Sequence, residues 1–322
     1  MASSSVLIPD WFGALGIESV ETWDPREAWE RTERDINLRV PLGIVSSAGE
    51  VSSEIVDPDQ VLWLDCSDCW AGGDGAHGAI QGPQADGGVN LNAVVALGVC
   101  ARFSPRRMNL VLVDLGDTGQ FDELAGLPHV RGYFRGGDPA RVLREFHEYA
   151  RSEVGKRRAG FQSAGMKDYI HWLNSGSCPE FPGLLVFVNS PGDTSKVADF
   201  SPLQFAAASR ALGMHVCLSF EHYPQPESAD VLGPDWSFPG FMESATYRIA
   251  FRCETGLLSR GMLFAEDASD IPEGSGEAIF NCPNRMGPVP RWIRFQPFNV
   301  IGPSRQGSVA ASLIDKIKAV SA

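Results

Sequence analysis

The sequence predicts an α/β fold built on a mostly parallel sheet flanked by helices. Continuous apolar runs of strand length stand at Met108-Asn-Leu-Val-Leu-Val-Asp114, Leu184-Leu-Val-Phe-Val188 and Met214-His-Val-Cys-Leu-Ser-Phe220. A run that is apolar at nearly every position belongs to a strand covered on both faces, as in a parallel sheet. Segments with helical spacing separate these runs, the arrangement by which right-handed crossovers join parallel strands. Hydrophobic residues fill 43% of the 322 positions and aromatics 10%, enough to build a large core and to exclude a largely disordered chain.

Near the start, Asp24-Pro25 ahead of Arg26-Glu-Ala-Trp-Glu-Arg reads as an N-cap, a first-turn proline and a short helix. Leu38-Arg-Val-Pro-Leu-Gly-Ile-Val45 and Val61-Leu-Trp-Leu64 are strand-like, and Gly72-Gly-Asp-Gly75 is a turn. His77-Gly-Ala-Ile-Gln81 predicts a short buried strand, Gly82 to Gly88 a glycine-containing loop, and Leu91-Asn-Ala-Val-Val-Ala-Leu-Gly-Val-Cys-Ala-Arg102 a helix, together a strand, loop and helix unit. The clearest helix opens at Asp138-Pro139, with Val142, Leu143, Phe146, Tyr149, Ala150 and Val154 on one face. A further helix is expected around Phe205-Ala-Ala-Ala-Ser-Arg-Ala-Leu212. Thr246-Tyr-Arg-Ile-Ala-Phe-Arg252 and Trp292-Ile-Arg-Phe295 are expected as edge strands, and 309–320 as a closing helix. With no internal repeat and no low-complexity linker, residues 1–322 are expected to form a single domain. Residues 1–70 would be its N-terminal lead-in and 71–322 its core.

The balance of 27 Lys and Arg against 40 Asp and Glu gives a net charge of −13. Such a field repels phosphate backbones, so no nucleic-acid partner is expected. Lys156-Arg157-Arg158 is the tightest basic run, and it reads as the solvated end of a helix. The first residues have neither a basic region nor a long apolar one, and no stretch of about 18 apolar residues occurs anywhere, so direct membrane insertion is not expected. A soluble, cytoplasmic protein follows as the expectation. Seven cysteines suit reduced thiols. Cys66-Ser-Asp-Cys69 is a lone pair without a second ligand pair, hence structural rather than zinc-binding or redox-active. The histidines at 77, 129, 147, 171, 215 and 222 form no local metal or nucleophile motif.

In order, several segments resemble the ATPase domains of EccC, the FtsK/SpoIIIE-family motor of type VII secretion, across nearly the whole chain. They are Trp11-Phe-Gly-Ala-Leu-Gly-Ile17, Leu38-Arg-Val-Pro-Leu-Gly-Ile44, Gly72-Gly-Asp-Gly-Ala-His-Gly78, Leu112-Val-Asp114 with Leu127-Pro-His-Val130, Met166-Lys-Asp-Tyr169, Phe181-Pro-Gly-Leu-Leu-Val186, Ser209-Arg-Ala-Leu-Gly-Met-His215 and Ile271-Pro-Glu-Gly-Ser-Gly276. The resemblance implies a RecA-like P-loop NTPase fold.

It also implies where a nucleotide would lie, and there the residues depart from the family. A working P-loop reads G-x-x-x-x-G-K-[ST], because its backbone N–H groups and lysine hold the phosphates and its hydroxyl holds Mg²⁺. This chain reads Gly82-Pro83-Gln84-Ala85-Asp86-Gly87-Gly88-Val89, with Gly88 in place of the lysine and Val89 in place of the hydroxyl. Pro83 removes an N–H, and Asp86 adds negative charge beside the phosphate position. Where the family ends a strand in Asp-Glu, for Mg²⁺ and for the attacking water, this chain has Asn189-Ser190. Glu221 stands at the family's polar sensor and His222 at the arginine that follows it.

The expectation is therefore a pseudo-ATPase domain with no catalytic residues and no bound metal. Mg²⁺ is not expected to bind, and weak ATP or ADP binding is left open. Its work would be assembly, regulation or substrate docking in type VII secretion, next to membrane-embedded machinery. The expected partners are a secretion motor, other FtsK/SpoIIIE-like ATPase domains and small helical secreted substrates. Arg210 is the candidate arginine finger offered in trans, with Arg248 and Arg252 as weaker ones. The alternative is a divergent active ATPase or DNA translocase that uses Asp114, Asp117, Asp193 or Glu221 with a borrowed cation. EccC motors carry several ATPase domains and an anchor, so a free-standing paralogue and a piece of a longer motor both stay open.

Overall fold

A computed structural model describes residues 10–46, 61–82, 88–175, 181–190, 209–221, 238–264, 268–282, 292–300 and 309–320. Its ten strands are β1 (Arg39–Val45), β2 (Val61–Asp65), β3 (Gly78–Gln81), β4 (Met108–Asp114), β5 (Val130–Arg135), β6 (Gly183–Ser190), β7 (Met214–Phe220), β8 (Tyr247–Ala250), β9 (Ala278–Asn281) and β10 (Trp292–Pro297). They form one sheet in the order β2-β1-β10-β9-β8-β3-β7-β6-β4-β5. From β8 to β5 every pairing is parallel. From β8 back to β2 every pairing is antiparallel. The sheet is thus mixed, with its parallel half in the predicted place. The N-terminal strands β1 and β2 join it through β10.

The described helices are α1 (Trp11–Leu15), α2 (Pro25–Thr32), α3 (Gly88–Arg102), α4 (Pro139–Ser163), α5 (Tyr169–Asn174), α6 (Phe238–Ser244), α7 (Gly256–Leu263) and α8 (Val309–Ala319). Residues 91–101 of α3 are buried on every side, which explains why this helix is apolar all round rather than amphipathic. Asp138 caps α4 by accepting from the N–H groups of Ala140 and Arg141, and Pro139 occupies its first turn. Val142, Leu143, Phe146 and Ala150 then pack in the cluster that also takes Val111, Val113, Val186 and Val216 from the sheet. The opposite face closes over α3 with Leu110, Leu112, Leu185 and Phe187. Both faces of the parallel strands are covered, so the continuous apolar runs are buried as the periodicity requires.

Three expectations need correction. The segments expected as edge strands are interior: β8 lies between β3 and β9, and β10 lies between β9 and β1. All four residues of β8 are buried, and the edges are instead β2 and β5. Arg248, on β8, is buried and unavailable as a finger. Its Nη1 donates to the Met262 carbonyl at 3.2 Å, its Nη2 donates to the Met242 carbonyl, and the Phe264 ring covers the guanidinium at 3.7 Å. Arg157 does not lie at a solvated helix end, because α4 continues to Ser163. Its guanidinium is buried and donates to the carbonyls of Leu212 (3.0 Å) and Pro182 (2.7 Å) and to Glu153 (2.8 Å), joining α4 to the starts of β6 and β7. Of the helix expected before β7, 205–208 lie outside the described residues, Ser209 is helical, and a 3-10 turn follows at Arg210–Leu212.

One buried histidine gives the fold a pH dependence. His129 is fully buried, and its Nε2 donates to the Phe103 carbonyl at 2.8 Å. Burial, against the pull of that carbonyl and with the push of Arg131, lowers its pKa to about 4. The unfolded imidazole takes a proton near pH 6.5 whereas the folded one resists until about pH 4, so stability is full above that window and falls as pH drops through it. The expected loss is up to about 3 kcal/mol. Urea denaturation at pH 7 and pH 4.5 checks it, and His129→Gln should flatten the difference.

Candidate functional site

In an open parallel sheet, ligands bind at the carboxyl ends of the strands. Here those ends are Gln81 on β3, Asp114 on β4, Ser190 on β6 and Phe220 on β7. β3 leads through 83–87, outside the described residues, directly to α3, which begins at Gly88. A strand that returns immediately as a helix aims the helix N-terminus, with its free N–H groups, at this edge. Gly82 follows β3, and its N–H donates to the Phe220 carbonyl at 3.1 Å. A Cβ on Gly82 would lie 2.7 Å from the Cβ of Phe251, so the close approach of the β8 connection requires glycine.

A chain of polar side chains crosses this edge inside the protein. Asn92 Nδ2, from α3, donates to Ser219 Oγ on β7 at 2.8 Å. Ser219 Oγ donates toward Asn189 Oδ1 at 3.4 Å and the Val188 carbonyl at 3.3 Å. Asn189 Nδ2 in turn donates to Asp114 Oδ1 at 3.4 Å. Asp114, with no exposed surface, also accepts from the Thr118 hydroxyl at 3.1 Å and from the Gly119 N–H at 2.8 Å. Beside this chain, Gln81 Nε2 donates to the Glu221 carbonyl at 3.3 Å, and the Cys253 thiol donates to Gln81 Oε1 at 3.0 Å.

The residues singled out in the sequence fall as follows. Gly82, Asn189, Ser190 and Glu221 gather at this edge, at the ends of β3, β6 and β7, and Gly88 and Val89 open α3. Pro83, Gln84, Ala85, Asp86 and Gly87 lie outside the described residues, as do Asp193 and His222. Asn92, Thr118 and Ser219 escaped sequence reasoning, because none sits in a motif. Gln81 had a legible signal, being the polar residue that closes a short apolar run.

Arg210 stands at the other edge, in the 3-10 turn before β7. Its Nε and Nη2 donate to the two carboxylate oxygens of Asp68, each at 2.8 Å, and its guanidinium lies 5.7 Å from the centre of the Trp70 ring. Burial opposes ionisation of Asp68, but the Arg210 guanidinium and the Trp70 N–H outweigh it and lower the carboxyl pKa. The neighbouring Cys66 and Cys69 are free thiols whose pKa values burial raises, the reverse of what a reactive cysteine requires. Among the described residues, no three His, Cys, Asp or Glu side chains are grouped to hold a metal ion.

No family model matches the chain. Among curated proteins it is similar to the ESX-4 secretion system protein EccC4 of Mycobacterium tuberculosis, with 26% identity over 94% of this chain and 23% of the relative. Among solved structures it matches the cytoplasmic domain of the type VII secretion ATPase EccC of Thermomonospora curvata with a TM-score of 0.77 and 21% identity, over 96% of this chain and 34% of that one. The chain folds as an EccC-type, FtsK/SpoIIIE-like domain. A second EccC structure, of ATPases 2 and 3 of the T. curvata protein in complex with a signal sequence peptide, matches with a TM-score of 0.59 and 19% identity, over 92% of this chain and 48% of that one. This EccC-type domain spans about a quarter of the length of the curated relative. None of its described helices is long and apolar enough to cross a membrane.

Proposed function

We propose that this EccC-type domain serves type VII protein secretion as an assembly, regulatory or substrate-docking module and does not itself turn over ATP. The observation that carries the proposal is the end of β6. By the resemblance, Asn189 and Ser190 stand where an FtsK/SpoIIIE motor keeps its acid pair, and the buried carboxylate beside them, Asp114, is already bonded to Asn189, Thr118 and Gly119. With Gly88 and Val89 at the lysine and hydroxyl positions that the resemblance implies, positive charge, metal ligand and water-polarising base would all be missing at the carboxyl edge where Gly82, Asn189, Ser190 and Glu221 gather. Positioning and electrostatic stabilisation are nearly the whole of phosphoryl-transfer catalysis. What remains is a RecA-like scaffold with its interfaces, able at most to hold ATP or ADP weakly and without Mg²⁺.

The partners follow from the relatives. The signal-peptide complex of the T. curvata ATPases supports small helical secreted proteins as ligands, and the shared domain supports a secretion motor or another FtsK/SpoIIIE-like domain as neighbour. The chain would then work on the cytoplasmic side, held at a membrane-embedded complex through those partners. Arg210 is the residue offered to a neighbouring domain's nucleotide, and to reach it the guanidinium must exchange Asp68 for phosphate.

Affinity capture from cells carrying a type VII system tests this reading. The tagged full-length chain is expected to retain an EccC-type motor or a small helical export substrate, in a manner insensitive to nuclease. Consistent retention of DNA instead would contradict it.

A further inference from the structure

We infer that Asn189 is a positioning residue whose side-chain amide joins Ser219 to Asp114 and commits the Asp114 carboxylate to anchoring the loop after β4. Asp114 and Asn189 are directly paired in register on adjacent parallel strands, and the Leu115 N–H donates to the Asn189 carbonyl at 2.9 Å. The neighbours fix which way the amide points. Asp114 can only accept, so the amide turns Nδ2 toward Asp114 Oδ1 at 3.4 Å and Oδ1 toward Ser219, whose hydroxyl proton is shared between Asn189 Oδ1 (3.4 Å) and the Val188 carbonyl (3.3 Å). Asn92 sets up this direction by donating to Ser219 at 2.8 Å.

Only a side chain that both accepts and donates can fill position 189 in this chain of bonds. An aspartate there would still accept from Ser219, but an ionised carboxylate has nothing to donate to Asp114. Two carboxylates would then face each other where Asp114 has no exposure and residue 189 only 5%. Asp114's remaining partners are neutral donors from its own loop, the Thr118 hydroxyl and the Gly119 N–H. The charged groups on the neighbouring β5 and loop offer no relief. Arg135 is held by Asp117 and Asp122, both at 2.5 Å, and Tyr133 donates to Asp122 at 2.7 Å. The amide at 189 is thus a built part of this edge rather than a neutral leftover of a metal-binding acid. The functional consequence rests on the reading of the pocket as one without turnover, whereas the pairing stands on the side chains alone.

The exchange cycle Asn189→Asp, Asp114→Asn and the double variant tests the pairing in the full chain. The readouts are thermal denaturation at neutral pH and hydrogen exchange of the 115–121 amides. Asn189→Asp is expected to lower Tm by about 4 °C or more and to speed exchange in that loop by about tenfold. The double variant, in which amide and carboxylate again face each other with roles reversed, should recover at least half of both effects. Should Asn189→Asp fail to fold, Asn189→Ala removes the donor without adding charge, and faster exchange at 115–121 remains the expected result. Parent-like exchange in Asn189→Asp or Asn189→Ala would overturn the inference, as would a double variant no better than the sum of the singles. ATP hydrolysis by the unaltered chain would remove the functional reading and leave the pairing standing, so the two failures are distinguishable.

Discussion

Replacing Arg248 with methionine is expected to remove about 3–4 kcal/mol of folding stability, a large part of the margin that holds a typical domain folded. The size follows from what the guanidinium touches. The carbonyls of Met242 and Met262 belong to the last turns of α6 and α7, where carbonyl groups have no partner within their own helix and the helix dipole is negative. One buried cation therefore closes two helix ends at once, beneath the Phe264 ring. Methionine fills a similar volume but leaves both carbonyls without their charged donor, at about 1.5–2 kcal/mol each. Arg248→Lys should recover only part of the loss, because an ammonium cannot reproduce the planar fork. Urea denaturation checks it, and a loss under about 1 kcal/mol would mean that the two helix ends find other donors. Because β8 pairs directly with β3, the same variant should loosen the strand that leads into the pocket.

The parallel half of this sheet could be read from sequence because burial on both faces writes itself as uninterrupted apolar residues, as in β4, β6 and β7. The start of α4 was equally legible, since Asp138-Pro139 carries its capping chemistry locally. β5 gave no such signal. It is an edge strand with every residue but Arg131 half-buried, and its Arg135 serves Asp117 and Asp122 rather than a pattern. β8 and β10 are legible as strands but not as interior ones, because an arginine set among apolar residues, Arg248 or Arg294, suggests a solvent-facing edge until a buried partner is known. Arg248 and Arg157 show the common cause: a charge that is satisfied by backbone carbonyls of other elements looks, in one dimension, like a surface charge. At the site, order alone names Gly82, Asn189, Ser190 and Glu221, which the fold brings to one edge of the sheet. The chain from Asn92 through Ser219 and Asn189 to Asp114 could not, because its members come from three strands and a helix and no two are close in sequence.

A working P-loop motor draws catalysis from its lysine, its bound Mg²⁺ and its acid pair together. Loss of a single preorganised electrostatic contact costs about 10²–10³ in rate, and in the proposed reading four side chains differ at once. The chain is expected to hydrolyse ATP at less than about 10⁻⁴ of the rate of such a motor. Restoring the lysine and hydroxyl through Gly88→Lys and Val89→Thr should improve nucleotide binding without starting turnover, since β6 would still end in an amide and a hydroxyl.

The most direct test is therefore single-turnover hydrolysis of radiolabelled ATP by the purified full-length chain, with Mg²⁺, alone and mixed with an active EccC-type motor whose own hydrolysis is blocked. No phosphate release above background is the predicted result in both mixtures. Mg²⁺-dependent release approaching about one per second, abolished by a substitution at 82–89 or at Asn189, would contradict the account.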